Sequence, residues 1–229
     1  MSKVINEKEY IPPTVTVDGI YFRLLDSRLE VLLIKRSKEP FKNRYALPGG
    51  YCAKGETTRD TLKRITAIKA GFSIDNLEHL EQLYTFDAVS RDPRGHAVAV
   101  TYMGLGRDIN IEPSKTTEQP GFFPVDNLPD LAYDHLEIIE LAHKRLKSKI
   151  SYTNIVFSLI PIKFSYTKLQ LAYQAIFGYD LDKRNFRKKF NSLNLIKDTG
   201  EISKEGAHRP AKLYSFKEQE IEELTRSFD

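Results

Sequence analysis

Apolar and polar residues alternate over several short stretches in the first half of the chain. A period of two is typical of β-strands, and it predicts one strand in TVTVDGIYFRL and a second in LEVLLIKRS. The two strands are joined by LDSR, a short hairpin connection. Two further strands are predicted in LEQLYTFDAVS and HAVAVTYMGLG. Because strands of this kind pair side by side to satisfy their backbone groups, these segments indicate a sheet.

Helical spacing interrupts this alternation twice. One helix is predicted over residues 57–70, with Thr57 as its N-cap and Gly71 as its C-cap. A second helix is predicted from about Asp134, the candidate N-cap, to Ser148. The first half is therefore expected to be a mixed sheet with helices on its faces.

The second half of the chain has a different pattern. SYTKLQLAYQAIFG carries apolar residues at helical spacing between Ser165, a candidate N-cap, and Gly178, a candidate C-cap. DKRNFRKKFNSLNLI predicts a second helix, with apolar residues on one face and basic residues elsewhere. IKDTGEISKEGAHRPAKLYSF then predicts two short strands around a basic loop. This order of elements indicates a winged helix-turn-helix.

The two patterns meet near residues 148–154. We therefore predict two domains, residues 1–149 and residues 150–229, and an α+β fold class.

The composition is that of a globular protein. Hydrophobic residues make up 41% of the 229 residues, which is enough for a packed core. The single cysteine, Cys52, excludes an internal disulfide and favours a reducing compartment. No apolar run approaches the roughly 20 residues of a membrane span, and the opening residues MSKVINEKEY lack the apolar stretch of a signal peptide. We therefore expect a cytoplasmic protein with no membrane partner.

Basic residues are concentrated in one segment. The formal net charge of the chain is only +4, but residues 163–217 carry 12 Lys/Arg against five Asp/Glu. A local excess of this kind favours binding to a polyanion such as DNA, although a basic helix face is more often simply solvated.

One motif carries candidate chemistry. In GYCAKGETTRDTLKRITAIKAGF, five residues separate Gly50 from Glu56, seven separate Glu56 from Arg64, and the helix ends at Gly71-Phe72. These residues resemble a Nudix box, whose usual form is G-x5-E-x7-R-E-U-x-E-E-x-G-U, with U apolar.

A second resemblance comes from the other half of the chain. With DKRNFRKKF and GAHRPAKLYSF, the sequence resembles the Nudix-related transcriptional regulators that repress genes of NAD metabolism and respond to ADP-ribose. The resemblance spans nearly the whole chain. It implies a Nudix-like α/β/α sandwich with a mixed sheet, followed by a winged helix-turn-helix domain.

Three glutamates of the Nudix pattern are replaced by Ile65, Ile68 and Lys69. These positions share one helix face, and that face offers no oxygen ligand, whereas Mg²⁺ requires near-octahedral oxygen ligation. Glu56 remains, but the resemblance pairs it with Arg64, which would hold the loop against the helix. We therefore expect no enzyme activity, no catalytic residue, no metal site and no cofactor.

The disabled motif retains features that suit nucleotide binding. Its glycines can bring backbone N–H groups close to phosphate oxygens, and an ammonium group on the helix can neutralise a diphosphate without cleaving it. A tight turn explains the glycines equally well, and a solvated surface position explains the lysine. The stretch YTFDAVSRDPRGHAV resembles a segment of these regulators and of their ADP-ribose-cleaving relatives, which implies aromatic faces for adenine and guanidinium groups for phosphates. Alternating strand residues are, however, more often part of the core. The candidate effector-binding residues are Arg36, Arg44, Gly49, Gly50, Lys69, Tyr84, Phe86, Arg91, Arg94 and His135.

The winged helix resemblance implies a set of DNA contacts. The opening turns of a recognition helix face base edges and phosphates, and a wing approaches the backbone or the minor groove. Arginine can read guanine and asparagine can read adenine. The candidates on the helix are Lys183, Arg184, Asn185, Arg187, Lys188 and Lys189, and those on the wing are His208, Arg209 and Lys212.

The leading hypothesis is a homodimeric repressor that binds a palindromic double-stranded operator and releases it when ADP-ribose or a related nucleotide binds. A regulator of the same architecture that senses a sugar is one alternative. An ADP-ribose pyrophosphatase with a fused domain is the other, and Ile65, Ile68 and Lys69 disfavour it.

Overall fold

The computed structural model describes residues 10–112, 118–203 and 210–224. It contains nine strands: β1 (Thr14–Leu25), β2 (Arg28–Lys35), β3 (Tyr45–Ala46), β4 (Gly49–Tyr51), β5 (His79–Phe86), β6 (Ala97–Leu105), β7 (Gln119–Pro124), β8 (Ile196–Ser203) and β9 (Ala211–Phe216). Its α-helices are α1 (Thr58–Ala70), α2 (His135–Tyr152), α3 (Tyr166–Phe177) and α4 (Lys183–Ser192). Among the residues described, no helix is long and apolar enough to cross a bilayer.

Strands β1 to β7 form one mixed sheet, as the sequence predicts. β1 lies at its centre, parallel to β6 on one side and antiparallel to β2 and β4 on the other. A parallel pair requires a crossover connection, and α1 lies in the segment between β1 and β6. β4 pairs with the start of β1 and β2 with its end, so two strands share this side of β1.

Helices cover both faces of the sheet, which confirms the α/β/α sandwich. One buried cluster joins Leu62 of α1 to Val17 and Tyr21 of β1. A second cluster joins Ile138 of α2 to Phe22 of β1, on the opposite face. The alternation of β1 explains this arrangement, because successive side chains of a strand point to opposite faces.

The caps of α1 are those that the sequence predicts. The Thr57 hydroxyl accepts a hydrogen bond from the backbone N–H of Asp60, and the Asp60 carboxylate accepts one in return from the backbone N–H of Thr57. Gly71 ends the helix at a φ of 74°, a left-handed conformation that favours glycine.

Helix α2 is longer than predicted and crosses the predicted division at 149/150. It ends at Tyr152 instead of Ser148, because Ile150 continues the buried stripe of Ile138, Ala142 and Leu146. Asp134 stands at the N-cap position, but its side chain makes no capping hydrogen bond, which corrects that expectation. The division into residues 1–149 and 150–229 remains a prediction.

The second half is a winged helix, as predicted. Ser165 caps α3 and Asp182 caps α4, each by accepting a backbone N–H three residues on. Phe186 and Phe190 of α4 pack against the buried ring of Tyr173 in α3. Strands β8 and β9 form the antiparallel hairpin that follows.

The two halves are joined by polar contacts as well as by a shared apolar core. The Arg107 guanidinium, in the loop after β6, donates to the Phe157 carbonyl at 3.0 Å. Asn154 donates to the Glu220 carbonyl at 2.9 Å and accepts from the Glu222 backbone N–H at 2.8 Å. The chain beyond β9 therefore returns to the junction between the halves.

Candidate functional site

A cleft of about 380 Å³ opens beside β1, between α1 and the start of α2. The glycines of β4, the segment after β2 and the loop between β5 and β6 complete its wall. Seven of the ten predicted effector-binding residues line it: Arg36, Gly49, Gly50, Lys69, Arg91, Arg94 and His135.

The other three predicted residues do not lie among those that line the cleft. Tyr84 and Phe86 are on β5, which β6 separates from β1, so they are two strands away from it. Phe86 is buried in the core, and the ring of Tyr84, which is 58% exposed, contacts it. Arg44 is exposed, and its guanidinium faces the Phe41 ring at 5.7 Å.

A buried ion-pair network forms the floor of the cleft. Two nitrogens of Arg91 donate to the two carboxylate oxygens of Asp134 at 2.7 Å each. The carboxylate of Asp18 lies 3.7 Å from the same guanidinium. Burial raises the pKa of Asp18 to about 6, and Arg91 offsets part of that effect. Arg91, predicted as a phosphate ligand, is therefore already shared between two carboxylates.

Aromatic rings and guanidinium groups alternate at another part of the cleft. The Tyr133 ring faces Arg36 at 5.0 Å and Arg94 at 5.7 Å, and Arg94 also lies 5.4 Å from the ring of Tyr51. Tyr133 has a φ of 56°, and its buried hydroxyl has no hydrogen-bond partner within the described parts of the chain. These rings and cations can stack on a planar base.

Sequence reasoning missed Asp18, Tyr51 and Tyr133. A carboxylate inside the apolar run of β1 is a signal that could have identified Asp18. Tyr133 offers no comparable signal, since its position depends on a left-handed backbone conformation that aromatic residues rarely adopt.

The altered face of α1 also borders the cleft. Ile65 is buried against Gly50, where an added Cβ would lie 2.8 Å from the Ile65 Cδ1 atom, and Ile68 is 39% exposed. Lys69 binds the carboxylate of Glu118 at 2.9 Å, so its charge is compensated within the protein. The predicted free ammonium for a diphosphate is thus already paired.

Glu56 holds the loop before α1 in place. Two nitrogens of Arg64 donate to its carboxylate at 2.6 and 2.7 Å, and the Thr61 hydroxyl donates at 2.8 Å. The hydrogen bonds from Arg64 are the largest reason that the pKa of Glu56 is lowered to about 2. The predicted Glu56–Arg64 pairing is confirmed.

This donor set does not fit the magnesium ion that the Nudix fold implies. Two isoleucines and an ion-paired lysine occupy the positions of the glutamates, and the carboxylate of Glu56 is held by Arg64. Among residues 10–112, 118–203 and 210–224, no three His, Cys, Asp or Glu side chains are grouped as metal ligands.

His135, the first residue of α2, is a neutral and buried member of the cleft wall. Its Nδ1 atom accepts a hydrogen bond from the backbone N–H of Leu47 at 2.9 Å. Burial lowers the pKa of His135 to about 3. Because Nδ1 is an acceptor, the proton of the neutral ring is on Nε2, which can donate to a ligand.

The second candidate surface is α4. Lys183, Arg184, Asn185, Arg187 and Lys188 are exposed, and Lys189 is half-buried. Since α4 begins at Lys183, Arg184 and Asn185 lie in its first turn, as predicted. The Arg187 guanidinium lies 4.8 Å from the centre of the Tyr166 ring of α3.

The wing is described only in part. Lys212 on β9 is exposed, and its ammonium binds the carboxylate of Asp198 on β8 at 3.0 Å. The other predicted wing residues, His208 and Arg209, lie outside the described residues.

Comparison with known proteins matches both halves to family models. Residues 15–142 match the NUDIX domain, and residues 156–216 match the NrtR DNA-binding winged helix domain. The chain is 34% identical over 222 residues to the ADPR responsive transcriptional repressor NtrR of Acinetobacter baylyi, covering 94% of this chain and 87% of that protein. It is also 34% identical over 131 residues to the ADP-ribose pyrophosphatase of Methanocaldococcus jannaschii, which covers 57% of this chain and 73% of that enzyme.

Solved structures are similar to nearly the whole chain and to its NUDIX half. Shewanella oneidensis NrtR complexed with a 27mer DNA superposes with a TM-score of 0.74 and 28% identity, covering 94% of this chain and 99% of that chain. The NUDIX domain of the same protein complexed with ADP ribose superposes with a TM-score of 0.56 and 32% identity, covering 62% of this chain and 94% of that chain.

The neutral state of His135 predicts a pH effect on stability. Its pKa is lower in the folded protein than the ordinary value, so the unfolded chain binds the extra proton as pH falls below about 6.5. The contribution of His135 to the free energy of unfolding is therefore fully present above that pH and decreases as the pH falls toward 3. Between pH 6 and 5, His135 should give the free energy of unfolding a dependence on pH of up to about 1.4 kcal/mol per pH unit. We expect His135→Gln to remove this dependence.

The measurement is urea unfolding at several pH values. Asp18 contributes a slope of opposite sign over the same range, because its pKa is raised, so the difference between wild type and variant isolates His135. His96→Gln, which changes an exposed histidine, is the matched control and should keep the wild-type slope. Parallel curves for wild type and His135→Gln would contradict the assignment.

Proposed function

Because this chain belongs to the family of NUDIX-domain regulators that carry an NrtR-type winged helix domain, we propose that it is a DNA-binding transcriptional repressor. Its cleft senses ADP-ribose or a related nucleotide, and the protein releases DNA when that nucleotide binds. One observation carries the proposal. A cleft lined by guanidinium groups and glycines, with no magnesium ligand set among the residues that the structure describes, occurs in the same chain as a winged helix whose helix α4 is exposed and basic.

The cleft suits binding better than hydrolysis. Nudix hydrolysis uses a metal ion to polarise the diphosphate and to deliver water, and α1 has Ile65, Ile68 and a paired Lys69 in place of that ligand set. The cationic groups and tyrosines of the cleft match the phosphates and the base of a nucleotide. The pyrophosphatase alternative, and a regulator that senses a sugar, are outcomes of the test below.

Helix α2 is a direct connection between the cleft and the winged helix. His135, its first residue, lines the cleft, and Asp134 just before it accepts hydrogen bonds from Arg91 of the cleft. Further along, the Nε2 atom of His143 donates to the Ile176 carbonyl of α3 at 2.8 Å. A nucleotide that binds better to the DNA-free arrangement can shift α2 and thereby weaken DNA binding, since coupling requires differential affinity for the two states.

The effector proposal predicts different roles for two arginines. Arg36 lines the cleft and Arg44 does not. Arg36→Ala should therefore weaken ADP-ribose binding by about 10- to 150-fold, which corresponds to the loss of a hydrogen bond to a charged group. Arg44→Ala should have little effect. Isothermal titration calorimetry measures both. In the wild type, saturating ADP-ribose should weaken DNA binding by roughly 5- to 150-fold.

The same samples test the alternatives. Incubation of ADP-ribose with the protein and Mg²⁺ or Mn²⁺ should release no AMP or ribose 5-phosphate. Product formation that Glu56→Gln abolishes would support the pyrophosphatase. Calorimetry that shows binding of a free pentose and none of ADP-ribose would support the sugar sensor.

The DNA proposal predicts that α4 reads the operator. Arg184 lies in the first turn of α4. Arg184→Ala should therefore reduce affinity for an operator by roughly 5- to 150-fold, which corresponds to about 1–3 kcal/mol for a base contact, and it should reduce affinity for a scrambled duplex by less. If Arg184 instead contacts a phosphate, both affinities fall alike and the log–log salt slope flattens by about 0.9.

Fluorescence anisotropy with a duplex selected from a random pool and its scrambled counterpart separates these outcomes. Lys144→Ala removes an exposed lysine from α2 and is the matched control, which should bind both duplexes like wild type. If Arg184→Ala also binds the operator like wild type, the predicted contact of Arg184 is contradicted.

A palindromic operator requires a dimer, because a two-fold protein mirrors a two-fold site. We propose that the NUDIX half supplies the interface, where Val89 and Tyr84 are 71% and 58% exposed. Sedimentation at micromolar concentration should give twice the chain mass of 26.4 kDa. Val89→Asp should shift it toward the monomer, and Ile202→Asp on β8 should not. A monomeric wild type would contradict this assignment.

A further inference from the structure

The carboxylate of Asp18 is an unexplained feature of the cleft. Asp18 lies on the central strand β1, and its side chain is only 9% exposed, yet it borders the cleft. A Cβ added to Gly49 would lie 1.8 Å from its Oδ1 atom, so the carboxylate packs directly against the Gly49 backbone. Other carboxylates line the cleft, but those of Asp92 and Glu118 are bound by Arg94 and Lys69, whereas an unpaired carboxylate would repel a phosphate.

The neighbouring cations are paired with other carboxylates. Arg91 makes its two short hydrogen bonds to Asp134, and Arg94 makes its own to Asp92. Lys69 binds Glu118. Within the described residues, the Asp18 carboxylate accepts no hydrogen bond, and its nearest cation is Arg91 at 3.7 Å. Such a group requires donors when it is ionised, because a buried charge without hydrogen bonds is costly.

A ligand that fills the cleft can supply those donors. Of the parts of a nucleotide, the phosphates offer only acceptor oxygens, while a ribose offers two adjacent hydroxyl groups that can each donate to one carboxylate oxygen. The amino group of adenine also donates, but its two hydrogens sit on one nitrogen and point apart, so it cannot satisfy both oxygens of one carboxylate as two adjacent hydroxyl groups can. The chemistry that complements a buried carboxylate beside a phosphate-binding turn is therefore a vicinal diol.

We propose that Asp18 determines the specificity of the cleft by accepting hydrogen bonds from the vicinal hydroxyl groups of a ribose in the bound nucleotide. This inference rests on the proposed nucleotide-sensing function and names the part of the ligand that one residue reads. It makes the cleft selective for a ribonucleotide over its deoxy counterpart. ADP-ribose contains two riboses, and the probes below distinguish them.

The test is a thermodynamic cycle between protein and ligand. Wild type, Asp18→Asn and Asp134→Asn are each titrated with ADP-ribose, with the analogue lacking the adenosine 2′-hydroxyl and with the analogue lacking the 2-hydroxyl of the terminal ribose. Wild type should lose about 10- to 150-fold in affinity for one of the two analogues, the range for a hydrogen bond to a charged group. Asp18→Asn should bind that analogue and ADP-ribose with nearly equal affinity.

Asp134→Asn is the matched control, because Asp134 shares Arg91 with Asp18 and its loss disturbs the same ion-pair network. It should keep the discrimination between ADP-ribose and the analogue. If wild type binds all three ligands equally, the inference fails while the proposed function stands. If wild type binds none of them, both fail.

A second readout follows from protonation. The groups that face Asp18 are Arg91 and Asp92 from the loop before β6, Lys69 from α1, and Asp134 at the start of α2. With a pKa of about 6, Asp18 is partly protonated in the empty cleft at that pH, and diol binding favours the ionised form. ADP-ribose affinity in wild type should therefore fall about tenfold from pH 7 to pH 5, and proton release should appear as a buffer-dependent heat. Asp18→Asn should show neither effect, and a pH dependence that survives in this variant would overturn the proposal.

Discussion

The buried guanidinium of Arg91 is the interaction on which the cleft depends. It joins three elements that are far apart in sequence: the loop before β6 that carries it, the start of α2 through Asp134, and β1 through Asp18. Removing one partner would leave the others as uncompensated buried charges, which is far more costly than losing a surface pair. Asp134 consequently serves this network instead of capping its own helix.

This network places the cleft next to the element that reaches the winged helix. Helix α2 has 18 residues, so it spans roughly 27 Å at 1.5 Å per residue. Its first residue, His135, lines the cleft, and its buried stripe packs in the same cluster as Phe164, Tyr173 and Phe190 of the winged helix. A packed core of this kind transmits a displacement because it has few voids to absorb it.

The α1 segment combines the backbone frame of the Nudix motif with different side chains on the face toward the cleft. The parts that shape it are present: the capping box at Thr57, the Glu56–Arg64 clamp and the left-handed Gly71. The side chains facing the cleft differ, because Ile65 packs on Gly50 and Lys69 pairs with Glu118. The shape of the segment is thus retained, while apolar and internally paired side chains stand where the Nudix pattern has glutamates.

Local order was predictable from the sequence because it depends on spacing and capping. The strand alternation of β1 and β2, the caps of α1 and α3, and the order of helices and hairpin in the second half all follow from residues close together in the chain. The altered Nudix motif, the stretch YTFDAVSRDPRGHAV and two further positions together predicted seven of the residues that line the cleft. The end of α2 was predicted four residues early, because Ile150 becomes core only where the winged helix packs against it.

The state of each charged group was decided by the tertiary structure. Arg91 and Arg44 are both arginines in polar segments, yet one is buried between two carboxylates and the other is exposed. The crossover that places β6 beside β1 brings Arg91 to Asp18, and it leaves Tyr84 two strands away. Sequence alone determined which side chains this protein has available and which local elements carry them; the folded sheet decided which charges meet, because ion pairs form through space between residues that the chain keeps far apart.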